Sequence, residues 1–148
     1  MIDYSNQAVV DRRLDMLEAS VPRIIEMAVR KNVTEHRDGK GRDRSLAATV
    51  TMFSGGKDSL VLAHLMRGRT DYYGHANTGI GIEETRDFVR KTAAEWGVPL
   101  LERTPVAGRT FEDYVLENGF PGPGRHGYIY ARIKGSPFEQ INRELVPN

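Results

Sequence analysis

A chain of 148 residues suits one domain, and at that length roughly two-thirds of the unfolded surface can be buried. Its composition, 39% hydrophobic and 28% charged, is that of a folded chain rather than a disordered one, and a formal net charge of +1 gives no bulk reason to expect nucleic acid. The absence of cysteine excludes disulfides, thiolate zinc sites, cysteine-ligated iron–sulfur clusters and a cysteine nucleophile on this chain. The N-terminal residues lack a basic-then-apolar layout and no apolar run approaches a bilayer span, so a cytoplasmic protein without a membrane partner is expected.

In chain order, residues 7–32 read as helix, with Val10, Leu14, Leu17, Val21, Ile24 and Ala28 recurring at three- and four-residue steps. Pro22 sits best in a first helical turn, which predicts two helices or a kink near Ser20. Thr34–Arg44 is polar with two glycines and reads as an exposed, mobile loop. Leu46–Phe53 is a short apolar, β-branched run that predicts a buried strand. A helix over Ser59–Met66 ends near Gly68, and Tyr72–Ala76 forms a second strand. Glu83–Trp96 forms a helix closed by Gly97, Val98–Leu101 a third strand, and Thr110–Asn118 a helix before Gly119. The stretch after Phe120 is rich in glycine and proline, and a last helix is expected over Phe138–Leu145. Alternating strands and helices predict βαβ units and a parallel sheet covered on both faces. Residues 1–45 are expected as an N-terminal helical segment and loop, and 46–148 as the nucleotide-binding part of a single compact domain.

The chemistry is concentrated in Phe53-Ser54-Gly55-Gly56-Lys57-Asp58-Ser59, between a strand and a helix. Adjacent glycines let the main chain approach a ligand closely. The first amides of the following helix have no internal partner and, with the helix dipole, attract an anion. Ser54 and Ser59 add hydroxyls, and Lys57 a point charge suited to phosphate. Asp58 would repel phosphate directly; it either meets a magnesium ion or caps the helix. The spacing is not that of a Walker A loop.

This SGGKDS segment resembles the PP-loop of the adenine nucleotide alpha-hydrolase-like superfamily, and most closely the phosphoadenosine phosphosulfate (PAPS) reductase family. Three further segments are similar to that family's: His75–Ile80 followed by Glu83-Glu84-Thr85; Trp96–Leu100; and Gly119-Phe120-Pro121 with Arg125, Arg132, Lys134 and Pro137. The resemblance covers about Thr49 to Leu145. It implies an α/β fold: a Rossmann-like, three-layer sandwich around a parallel sheet, with ATP or PAPS at the carboxyl ends of the strands. It also implies that Ser54, Gly55, Gly56, Lys57, Asp58 and Ser59 bind phosphate, that Asn77, Thr78 and Gly79 lie beside the nucleotide, and that Arg125, Arg132 and Lys134 face phosphate or sulfate.

Two departures bear on the reaction. The family's reductases use a cysteine in a C-terminal Glu-Cys-Gly tail, which this sequence lacks, and Asn77 stands where the family usually has aspartate. The expected activity is therefore cleavage of ATP to AMP and pyrophosphate with adenylation of an unidentified small-molecule or macromolecular acceptor. Lys57, Asp58, Arg125 and Arg132 would be catalytic, with Mg2+ on Asp58. The alternatives are a sulfonucleotide reductase-like protein taking a thiol from another chain, or a non-catalytic nucleotide-binding subunit. A homo-oligomer or a partner subunit could complete the site.

Elsewhere, His64 reads as structural on an apolar helix, while His75, near the expected site, carries either role. His126 suits an acid–base or phosphate role beside Arg125, and His36 belongs to the loop. Glu83 and Glu84 read as dipole partners of a helix start rather than catalytic carboxylates. Trp96 reads as core, and Tyr128 and Tyr130 either stack on a base or pack in a strand.

Overall fold

A computed structural model describes residues 5–30 and 47–146. By its contacts the chain divides into two units, Met1–Leu46 and Ala47–Asn148. The expected Thr34–Arg44 loop, His36 and Leu46 lie outside the described residues.

The first unit contributes helix α1, Gln7–Val29. Asn6 caps it, its side-chain oxygen accepting from the Ala8 N–H at 3.1 Å. Of the two expectations near Ser20, two separate helices are not formed, because α1 runs through Pro22 as one helix. Proline removes one intrahelical donor, and the turns on either side propagate the helix across that gap.

The second unit is α/β. Strands β1 (Val50–Met52), β2 (Tyr72–Ala76) and β3 (Leu100–Arg103) form a parallel sheet in the order β1-β2-β3. Helix α2 (Lys57–Met66) links β1 to β2, and α3 (Glu83–Glu95) links β2 to β3. Helix α4 (Phe111–Asn118), a short 3-10 turn (Pro123–Arg125) and α5 (His126–Leu145) follow. Because the strands are parallel, all three carboxyl ends lie on one edge. Register pairs Met52 with Gly74 and His75 with Glu102.

The main core joins Phe53, Ala63, Tyr73, Val89 and Ala93, with Trp96 packed against it. Tyr73 anchors this cluster; its ring meets Phe53 edge-on at 5.7 Å and its hydroxyl donates to the Ala63 carbonyl at 2.8 Å. Burial pushes the Tyr73 phenol above its ordinary pKa.

Three elements differ from expectation, each for a local reason. β1 is shorter than Leu46–Phe53 because its partner begins only at Tyr72. Before that, Thr49 N–H bonds the Asp71 carboxylate at 2.7 Å and Thr49 C=O accepts from Asp71 N–H at 2.9 Å. β3 starts at Leu100 rather than Val98, because Val98 still belongs to the end of α3. There Val98 N–H bonds Ala93 C=O and Gly97 N–H bonds Ala94 C=O, with Gly97 at φ +67°, and Pro99 cannot donate to a ladder. Finally, α5 begins at His126, not Phe138, so Tyr128 and Tyr130 are helical and exposed rather than strand residues. Ile129, Ile133, Pro137 and Ile141 recur every four residues on its buried face, and that packing outweighs the poor helix propensity of Gly127, Gly135 and Pro137.

Candidate functional site

The segment between β1 and α2 is tied to β2 at its first residue, through both main-chain groups of Phe53. Phe53 N–H donates to Gly74 C=O at 2.8 Å, and the Phe53 carbonyl accepts from His75 Nδ1 at 2.8 Å. His75 therefore carries its proton on Nδ1 and is a buried prop for the start of the loop. Gly55 follows at φ +84°, pressed so closely on α3 that an added Cβ would stand 2.7 Å from Thr85 Cγ2 and 3.0 Å from Val89 Cγ2.

Ser59 closes the loop from the other side. Its hydroxyl donates to Gly56 C=O at 2.9 Å and accepts from Ser54 N–H at 3.2 Å and Ser54 Oγ at 3.0 Å. Both serines are thus first of all braces of the loop. The first amides of α2 have no intrahelical acceptor, and Gly56, at the cap position, supplies no side-chain bond. Lys57 and Asp58 are exposed, and neither side chain has a hydrogen-bond or ion-pair partner among the described residues. The arrangement is an internally hydrogen-bonded turn presenting main-chain donors, one ammonium and one carboxylate.

The turn after β2 follows the strand paired with β1, at the same carboxyl edge of the sheet. Asn77 Oδ1 accepts from Gly79 N–H at 3.1 Å, Gly79 takes φ +80°, and Thr78 between them is half-buried. Asn77 Nδ2 donates to Glu102 Oε1 at 2.8 Å. Arg90 grips Glu102 with two bonds, Nε to Oε2 at 2.8 Å and Nη2 to Oε1 at 2.9 Å, and also reaches Glu83 and Asp87. Arg86 pairs with Glu83 and approaches Asn77 Oδ1 at 3.4 Å. Glu83, read from the sequence as a dipole partner, is thus also the counter-ion of two arginines.

Hydrogen bonds from Arg90, helped by one from Asn77, hold the Glu102 carboxyl below the ordinary glutamate range against the opposing effect of burial. A depressed folded pKa gives stability that is complete above the unfolded value, about 4.3, and is lost as pH falls through the lower folded value. Urea unfolding between pH 6 and 3 should therefore show an acid limb that Glu102→Gln flattens. Arg90 is nearly half exposed, so the lost contribution is at most about 1 kcal/mol.

Two of the late basic residues have partners of their own. Arg132 donates to Gly108 C=O, approaches Glu117 at 3.5 Å and stands over the Tyr114 ring at 5.8 Å. Lys134 bonds the Tyr130 hydroxyl and covers that ring. Arg125 is exposed on an open cleft of about 390 Å3 with Tyr114, Asn118 and Phe120. Among the described residues no hydrogen bond or ion pair joins these three to the Phe53–Ser59 loop. His126 is exposed at the start of α5, and His64 is exposed with its ring against Trp96.

No family model, curated protein or solved structure matches this chain. The site rests on its own geometry. Among the described residues no cluster of three metal-binding side chains occurs. Asp58 is a single free carboxylate, a donor set that suits magnesium only when phosphate oxygens and water supply the remaining ligands. Sequence reading passed over Arg86, Arg90 and Glu102. The three-residue spacing of Glu83–Arg86 and Asp87–Arg90 was visible, but the reach from α3 to β3 was not.

Proposed function

We propose that this chain binds ATP through Ser54–Ser59 and cleaves it between the α and β phosphates, as a PP-loop protein with a Rossmann-like, three-layer arrangement around its parallel sheet. The observation that carries the proposal is the loop itself. It is a braced turn at the carboxyl edge of a parallel sheet, where α/β proteins take their ligands, with free amides and an unpaired Lys57 at one helix start. The Asn77–Gly79 turn forms the neighbouring wall. In the reaction an acceptor oxygen attacks the α-phosphorus, the bond to the bridging oxygen breaks, and pyrophosphate leaves with the electron pair. Lys57 and the α2 amides offset the charge of the leaving pyrophosphate. Magnesium, held by Asp58 and phosphate oxygens, would shield the same charge.

A second reading, nucleotide binding without turnover, is favoured by one observation: Arg132 is engaged by Gly108 and Glu117 instead of the loop. Thermal melting with and without MgATP or PAPS tests binding, since ligand at 100 times Kd stabilises by about 2.7 kcal/mol. Phosphorus NMR of the same samples tests chemistry. The leading proposal expects a larger melting shift with ATP than with PAPS, and AMP plus pyrophosphate as products. A shift without products selects the second reading. ADP plus phosphate, or no shift with either nucleotide, sinks both.

A further inference from the structure

The turn after β2 is held by charged groups that the phosphate loop does not use. Glu102 Oε1 accepts both from Arg90 Nη2 at 2.9 Å and from Asn77 Nδ2 at 2.8 Å. A carboxylate only accepts, so the NH2 of Asn77 must turn toward Glu102. Asn77 Oδ1 then meets donors alone, Gly79 N–H at 3.1 Å and Arg86 Nη1 at 3.4 Å. Reversing the amide would set oxygen against carboxylate and NH2 against an N–H and a guanidinium, so one orientation survives. Register reinforces it, since His75, two residues before Asn77, pairs with Glu102 across the sheet.

We infer that Glu102 is a positioning residue for the nucleotide site: through Asn77 it presets the Asn77–Gly79 turn, and it requires an amide at position 77. The inference rests on the proposed ATP site. A carboxylate in place of the Asn77 amide would bring two like charges to the 2.8 Å separation that a hydrogen bond now spans. The Glu102 carboxylate, clamped by Arg90, would hold its charge and push the turn away. Asn77 and Glu102 therefore act as a matched pair.

The test is a coupled set of variants of the full chain, titrated with MgATP by calorimetry and melted without ligand. Asn77→Asp should weaken ATP about tenfold or more. Adding Glu102→Gln should recover at least about threefold of that loss, because it removes one of the two facing charges; the recovery is partial, since an NH2 turned toward position 77 also meets Arg90 Nη2. Glu102→Ala should weaken ATP about tenfold on its own, by freeing the turn. A double variant no tighter than Asn77→Asp overturns the inference. So does a Glu102→Ala protein that melts earlier yet binds ATP like the parent. If the parent chain binds no ATP, the ATP reading fails separately, and the side-chain amide signals of Asn77 decide the positioning role. Two dispersed, exchange-protected protons that collapse in Glu102→Ala support it; signals unchanged by that substitution overturn it.

Discussion

Gly55→Ala is expected to destabilise the Ala47–Asn148 unit by about 2–5 kcal/mol, the largest stability effect of any single-methyl addition in the loop. Two costs combine. At φ +84° an alanine takes a left-handed conformation, which costs about 1–2 kcal/mol. Its methyl would also stand 2.7 Å from Thr85 Cγ2 and 3.0 Å from Val89 Cγ2, and Val89 is fully buried and cannot yield. Such overpacking costs about 1–3 kcal/mol. For a unit of this size the melting temperature should fall by roughly 10–25 °C. Gly68→Ala is the control, since Gly68 has φ +79° but nothing within 4 Å of an added Cβ. It should cost only the conformational part, about 1–2 kcal/mol. Trp96, the only tryptophan, packs against the core of this unit, so its fluorescence follows the right transition. Equal losses for the two substitutions would show that the loop does not press on α3. Because α3 carries both Thr85 and Arg86, pushing the loop off it should also weaken ATP binding.

The same residues show what was legible in the sequence. β2 has its expected bounds because Tyr72–Ala76 is bounded by polar residues on both sides and lies at the sheet centre, where pairing covers its whole length. The expected start of α4 at Thr110 agrees with the structure, where Thr110 and Asp113 form a reciprocal cap: Asp113 N–H donates to Thr110 Oγ1 and Thr110 N–H to Asp113 Oδ2. β3 slipped by two residues because a glycine-terminated helix consumes the residue after the glycine, and local β-propensity at Val98 carries no trace of that. α5 was underestimated because glycine and proline are strong local signals, whereas Ile129 and Ile133 stabilise it through contacts with distant residues such as Tyr114. At the site, the proposed phosphate loop was visible because its residues are consecutive. The Arg90–Glu102–Asn77 chain was not, since its members come from α3, β3 and the turn after β2. The serines show a subtler gap: their hydroxyls read as phosphate donors, yet their bonds to each other and to Gly56 make them braces.

Lys57→Ala should separate binding from folding more cleanly than any other substitution. The ammonium is exposed at the first position of α2 and has no partner among the described residues, so its removal leaves no buried group unpaired. A cation at a helix N-terminus opposes the helix dipole, and stability should stay within about 0.5 kcal/mol of the parent or rise slightly. Phosphate binding should respond quite differently. A hydrogen bond to a charged group contributes about 1.5–3 kcal/mol, so the Kd for ATP should rise roughly 10- to 100-fold. Raising salt should narrow the difference, since part of the attraction is screened. Lys57→Arg, which keeps the charge, should recover a good part of the affinity. Asp58→Asn supplies a signed companion: without magnesium it should tighten ATP by removing a repulsion, and with magnesium it should weaken ATP by removing a metal ligand. Titrations of the three variants, each with and without magnesium, check these outcomes together. Unchanged ATP affinity in Lys57→Ala would mean that the nucleotide, if bound, lies away from the start of α2. A loss of stability matching the loss of affinity would instead make Lys57 part of the scaffold.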